Sequence, residues 1–141
     1  MFDLIHTVDS VELAKELDRQ AGKIGKIQNI LIQVKLSDEE TKHGVSGDEL
    51  HTLLEAVNEL KHLNLLGLMA IPPYFEDAGK ARPYFRKLRE TRDNINASGI
   101  MHYALCELSM GMSHDFEVAI EEGATMVRIG TAIFGERRAD I

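Results

Sequence analysis

The chain has 141 residues, 44% of them hydrophobic and 28% charged, the composition of one soluble globular domain with room for a real core. A net charge of -7 and a pI near 5.3, with no clustering of basic residues, tell against nucleic acid or an anionic membrane as the main partner. The single cysteine, Cys106, excludes an internal disulfide and suits a reducing cytoplasm; its apolar neighbours make it a core candidate. No apolar run approaches the ~18 residues of a membrane span, and no basic-then-apolar leader opens the chain.

In chain order, residues 2–8 are strand-like from the start. Asp9-Ser10-Val11-Glu12 reads as a capping box with Asp9 as N-cap, followed by Val11, Ala14, Leu17, Ala21 and Ile24 at helical spacing and by Gly22 and Gly25 as stops. Residues 29–36 form a short apolar run of the kind buried in parallel sheets, and residues 37–44 a polar loop beyond it. Ser46-Gly47-Asp48-Glu49 is a second capping box, and Leu50, Leu53, Leu54, Val57 and Leu60 give the next helix its stripe. A third strand over residues 65–71 is closed by Pro72-Pro73. A third helix is predicted over residues 77–97, with Ala81, Phe85, Leu88 and Ile95 inward and Pro83 near its start. Residues 103–110 and 125–129 are the last strands, separated by a fourth amphipathic helix.

Five strands alternating with four long helices specify an α/β protein with parallel strands and right-handed crossovers. Residues 108–135 concentrate the chemistry. Ser109-Met110-Gly111-Met112-Ser113 and Gly130-Thr131 are glycine-containing turns after parallel strands, where backbone N–H groups converge on a small anion. They read as two halves of one phosphate cup. Arg128 is the only charge in the apolar run between them, so it either points to solvent or is held against a partner at the strand end. Taken alone, the glycines read first as turn residues and Arg128 as a surface strand charge. Lys35 and Lys42 are the lysines best placed to approach the strand ends. None of His6, His43, His51, His62, His102 and His114 makes a metal-ligand spacing with Cys106 or with another histidine, and no Ser-His-Asp order, Walker pattern or GxGxxG is present.

Residues 108–113, with Glu121-Glu122-Gly123-Ala124-Thr125 and residues 127–137, closely resemble the C-terminal signature of the pyridoxal phosphate homeostasis proteins, single-domain relatives of the alanine racemase N-terminal barrel. The resemblance continues through residues 67–73 and back to Asp3-Leu4-Ile5-His6-Thr7-Val8-Asp9-Ser10, and so covers essentially the whole chain. It implies a partial (β/α) barrel of the TIM type, with residues 1–141 as one domain forming the C-terminal portion of a barrel that binds pyridoxal 5′-phosphate (PLP). A rearranged, flavodoxin-like open sheet is the alternative.

Carried over residue by residue, the resemblance implies that Ser109 and the backbone of Met110, Gly111 and Met112 bind the phosphate from one side. Gly130 and Thr131 complete the cup, and Arg128 lies against the pyridine nitrogen. Compared with the family pattern the chain lacks the first three βα units and with them the Schiff-base lysine of the first strand; Lys35 stands where the family has an asparagine-like residue. The implied function is cofactor carriage and homeostasis in the cytoplasm, through non-covalent, phosphate-driven binding and without catalysis. The alternatives are residual racemase-like chemistry using Lys35 or Lys42, and a fragment active only in an assembly. Five strands cannot close a barrel, so two sheet edges and an apolar inner face are expected to be exposed and to favour self-association.

Overall fold

The computed structural model describes residues 2–37 and 44–137. Its elements are β1 (Leu4–Val8), α1 (Val11–Lys23), β2 (Gln28–Gln33), α2 (Gly47–Glu59), β3 (Leu63–Met69), α3 (Arg82–Ser98), β4 (Glu107–Met112), α4 (Phe116–Glu121), β5 (Met126–Arg128) and α5 (Thr131–Phe134). The strands lie side by side in chain order, every pair parallel. A doubly wound sheet reverses its strand order midway; this one never does, and the open-sheet alternative is overturned. The sheet is also strongly curled. His6 on β1 hydrogen-bonds Ser109 on β4 at 3.0 Å, whereas three strand spacings of ~4.8 Å would separate them by about 14 Å in a flat sheet. The result is half of a β/α barrel.

The helices start where local chemistry supplies a cap. Ser10, not Asp9, is the N-cap of α1: its hydroxyl accepts from the Leu13 amide at 3.1 Å, which moves Glu12 to the second helical position. At α2 the box expected from the sequence is present, and the Ser46 amide donates to the Glu49 carboxylate at 3.3 Å. α3 is five residues shorter at its start than expected. Asp77 caps a single turn of 3₁₀ helix, Ala78–Ala81, and Pro83 then sits in the first turn of α3, where its missing N–H costs nothing.

The β4 boundary also differs from expectation, starting at Glu107 rather than at residue 103. The side chain of Asn96 explains the shift: its amide donates to the Leu105 carbonyl at 2.9 Å and its oxygen accepts from the Leu105 amide at 2.8 Å. Those two backbone groups are therefore taken by α3, and the ladder begins only at Cys106, whose amide donates to the Leu66 carbonyl. Cys106 itself is exposed, contrary to its expected place in the core. The fourth helix is a six-residue α4, not a long one.

One core cluster joins the helix side of the sheet (Ile30, Ile32, Leu65, Leu68, Leu108, Met110) to Ala14, Leu53, Leu54, Phe85 and Leu88 of the helices. Because side chains alternate along a strand, the residues between these strand positions face the concave side. That side is more polar than expected: Asn64 donates to Asn29 at 2.9 Å, and Ser109 pairs with His6.

Candidate functional site

The site lies at the carboxyl ends of β4 and β5, the side on which barrels carry their chemistry. β4 is irregular around Gly111, whose φ of 100° is closed to most side chains and whose missing Cβ would stand 2.7 Å from the Ala119 Cβ and 3.2 Å from the Phe116 Cα. α4 can pack this closely only over glycine. The turn is then fixed by Asp115, whose carboxylate accepts from the Met112 amide at 2.8 Å. Beyond β5 the chain passes through Gly130 into α5.

Ser113 joins these two turns. Its hydroxyl accepts from the Gly130 amide at 3.0 Å and from the Ala132 amide at 3.1 Å. The join borders a cleft of about 460 Å³ lined by Tyr74, Met112, Ser113, His114, Gly130, Thr131, Phe134, Gly135 and Arg137. A hollow of about 270 Å³ adjoins it, shared by Ser113, His114 and Thr131 with Ala132 and Glu136. A Cβ at Gly130 would meet no protein atom within 4 Å, so the glycine leaves room on the cleft side. The segment after β3 forms the opposite wall. The His114 Nε2–H donates to the carbonyls of Phe75 (2.8 Å) and Glu76 (3.0 Å), and its ring lies 5.0 Å from that of Tyr74.

Arg128 is held against a partner, the second of its two expected states. It is half-buried and its Nη2 donates to the Ala70 carbonyl at 3.0 Å, while Nε and Nη1 are buried without a partner. Burial lowers its pKa from the ordinary guanidinium value, and the carboxylate of Asp115 opposes that. A guanidinium stays charged through such a shift, so two cationic donor nitrogens are buried with no acceptor among the described residues.

Of the residues singled out in the sequence, Met112, Gly130 and Thr131 line the cleft. Arg128 is the register partner of Met112. Met110 is buried in the core behind the cleft, and Gly111 shapes the turn. Ser109 is fully buried, and its hydroxyl faces His6 rather than the cup. Burial first, then the charge of Arg128, lowers the His6 pKa below 6.5, which keeps the imidazole neutral at neutral pH. Lys35 follows β2, two strands from β4 in the sheet, and is not among the cleft residues; Lys42 lies outside the described residues. His102 is exposed. No group of three or more His, Cys, Asp or Glu among the described residues is arranged to hold a metal ion.

Sequence reading passed over Ser113, Tyr74, Phe134 and Arg137 as site residues. Ser113 had a usable signal: in Ser109-Met110-Gly111-Met112-Ser113 only the second serine lies beyond the glycine, outside the ladder. Tyr74 and Arg137 come from connecting segments, whose direction no periodicity reports, and Phe134 ends α5, whose four residues are too few to show one.

The residues present fit the phosphate and ring of a PLP-type cofactor on three counts: open glycine turns, hydroxyls at Ser113 and Thr131, and, on the strand position paired with the cleft residue Met112, a guanidinium with two buried nitrogens that have no partner among the described residues. Together with the half-barrel, this defines a cofactor barrel of the alanine racemase type. Residues 1–138 match the family model "Alanine racemase, N-terminal domain", and the chain belongs to that family.

Within it, the chain is 54% identical over 135 residues to the pyridoxal phosphate homeostasis protein of Aquifex aeolicus, a match over 96% of this chain and 58% of that protein. With the protein of the same name from Escherichia coli K12 it shares 42% identity over 143 residues, covering 57% of that protein. The chain thus spans between half and two thirds of the length of these curated relatives. Among solved structures, PipY of Synechococcus elongatus PCC7942 with PLP bound superposes with a TM-score of 0.87 at 37% identity, over 95% of this chain and 61% of PipY. Among the described residues no helix is long and apolar enough to cross a membrane.

Proposed function

We propose that this chain binds pyridoxal 5′-phosphate and carries it without catalysing a reaction of its own. The observation that supports this reading best is Arg128, in register with the cleft residue Met112 and carrying two buried donor nitrogens with no partner among the described residues. Buried donors left unpaired cost stability, and a ring nitrogen offers the acceptor they lack. When bound, the cofactor supplies an aldehyde and an electron-accepting pyridine. Arg128 donates to the ring nitrogen and keeps it unprotonated, because a proton there would set two cations in contact. Ser113, Thr131 and the backbone from Met112 and Gly130 hold the phosphate. Gly111 sets the turn, Met110 backs it from the core, and Ser109 supports the concave wall through His6. An unprotonated ring is a poor electron sink, which suits a carrier better than a transaminase.

The names of the relatives and the PLP held by PipY favour the same ligand. The exposed free thiol of Cys106 suits a reducing cytoplasm, where we place the chain. The test is an absorbance titration with PLP. Saturable binding that weakens with salt and with millimolar inorganic phosphate is expected; a folded chain that fails to bind at about 1 mM cofactor overturns the reading.

The sheet edges favour self-association as a second property. β1 and β5 each have one strand neighbour, and Phe2, Ile24 and Ile27 are large exposed apolar residues in and around the β1–α1 unit. Sedimentation of the isolated chain decides it, a strict monomer at high concentration being the contrary result.

A further inference from the structure

Two side chains cross the sheet from opposite sides and arrive at one rung of its ladder. His6 on β1 reaches over β2 and β3 to the Ser109 hydroxyl on β4, with its Nδ1 3.0 Å from Oγ. Arg128 on β5 reaches past β4 to the residue after β3, where its Nη2 donates to the Ala70 carbonyl at 3.0 Å. The amide of that same Ala70 donates to the carbonyl of that same Ser109 at 3.1 Å. A continuous hydrogen-bonded path therefore joins His6 to Arg128 through β4 and the end of β3.

The middle of this path is dry. Ser109 and Ala70 have no exposed surface, so water does not replace a partner that either one loses. His6 supplies the partner for the buried hydroxyl. The imidazole and the guanidinium are also near neighbours, since the charge of Arg128, after the larger effect of burial, lowers the His6 pKa. A neutral imidazole sits beside a guanidinium without repelling it. Nη2 is taken by Ala70, and Nε and Nη1 are buried with no partner among the described residues. A donor serves a ring nitrogen only where the ring arrives, because a hydrogen bond weakens steeply with misalignment. On the reading that Arg128 meets the ring nitrogen of PLP, we propose that His6 is a positioning residue for Arg128: its bond to Ser109 fixes the rung to which the guanidinium is anchored. His6 is not among the residues lining the cleft, so its effect passes through Arg128 and leaves the phosphate cup untouched.

The test titrates the whole chain with PLP by absorbance and measures inorganic phosphate as a competitor. His6→Leu keeps the side-chain volume and removes the bond, Ser109→Ala removes its other end, and His6→Asn restores a polar atom at the Nδ1 position; urea unfolding confirms that each variant is folded. His6→Leu and Ser109→Ala are each expected to weaken PLP binding by about fivefold, and the double variant by no more than either alone. Phosphate affinity in all of them, and PLP affinity in His6→Asn, are expected to stay within about twofold of the parent. In an Arg128→Met background His6→Leu is expected to change PLP affinity by less than about twofold. Unchanged PLP binding in His6→Leu and Ser109→Ala, equal losses for PLP and phosphate, no recovery in His6→Asn, or a full second loss on top of Arg128→Met overturns this inference and leaves PLP binding standing. Failure of the parent chain to bind PLP overturns both.

Discussion

The two halves of the sheet are built differently. β2 and β3 run six and seven residues, and ten of those thirteen positions are buried. β5 has three residues, none of them buried, and is followed by a four-residue helix with no buried residue. The first half is held by apolar packing between sheet and helices. In the second, chain direction is held by directed polar contacts: Asp115 on the Met112 amide, Ser113 on two amides, Thr125 on the Leu108 amide at 2.8 Å. Packing tolerates no ligand, whereas polar turns leave donors facing solvent and a cleft between them. The cleft lies where the core thins out.

Glycine gives the sharpest way to break that contrast. A Cβ at Gly67 in β3 would stand 1.8 Å from the Glu107 carbonyl oxygen, backbone that moves only if β3 and β4 separate; a Cβ at Gly130 meets nothing. Gly67→Ala is expected to cost about 3 kcal/mol in urea unfolding, as is Leu68→Ala, which empties a fully buried position. Gly130→Ala is expected to stay within about 0.5 kcal/mol of the parent and to weaken cofactor binding instead. Equal stability losses at the two glycines would contradict the division.

The same division governs what the sequence disclosed. Helical stripes and buried runs are collective signals, repeated many times along α1, α2, α3, β2 and β3, and they placed those elements to within a few residues; the 3₁₀ turn before α3 was the widest miss. Boundaries set by one side chain were not legible. Nothing in the pattern around residues 103–106 says that Asn96 claims the backbone of Leu105, or that Ser10 wins the cap from Asp9. In the site, Met112, Gly130, Thr131 and Arg128 came from the family signature, and the structure adds what a signature cannot carry, the direction of each side chain. Ser109 turns toward His6 and Ser113 toward the Gly130 turn, although both belong to the same five residues.

Arg128 sharpens the comparison from the site's side. Its Nε and Nη1, buried with no partner among the described residues, carry a cost to stability that the proposed ring nitrogen would offset. Arg128→Met is expected to leave unfolding unchanged or slightly more favourable to the fold, while weakening PLP binding by at least tenfold, about 1.4 kcal/mol. A clear loss of stability with unchanged binding would assign it a structural role.

Acid tests the joint between the halves. Glu122, buried after α4, accepts from Arg82 (3.3 Å), Arg86 (3.1 Å) and Arg89 (3.0 Å) of α3. Hydrogen bonding from Arg86 first, and then from Arg82, holds its carboxyl below the usual 4.5, against the burial that would raise it. A carboxyl depressed in the folded state stabilises fully above its unfolded pKa, and that stability is lost as pH falls through the folded value. His6 acts in the same direction at higher pH: depressed below 6.5, it resists the proton that the unfolded chain accepts, so stability falls as pH drops through 6.5. Two acid steps are expected, the upper one abolished by His6→Asn and the lower one by Glu122→Gln.

The smallest effect belongs to Ser113. Its hydroxyl ties Gly130 and Ala132 to the end of β4, but Gly130 and its neighbours are exposed, so water replaces the bonds when the hydroxyl is removed. Ser113→Ala is expected to lower stability by only about 0.5 kcal/mol. Its effect on ligand should be read from phosphate competition: if the hydroxyl donates to the phosphate, the variant loses affinity for PLP and for inorganic phosphate by the same factor. A loss confined to PLP would mean that Ser113 positions the ring wall formed by His114 and Tyr74, and that the phosphate rests on Thr131 and the backbone alone.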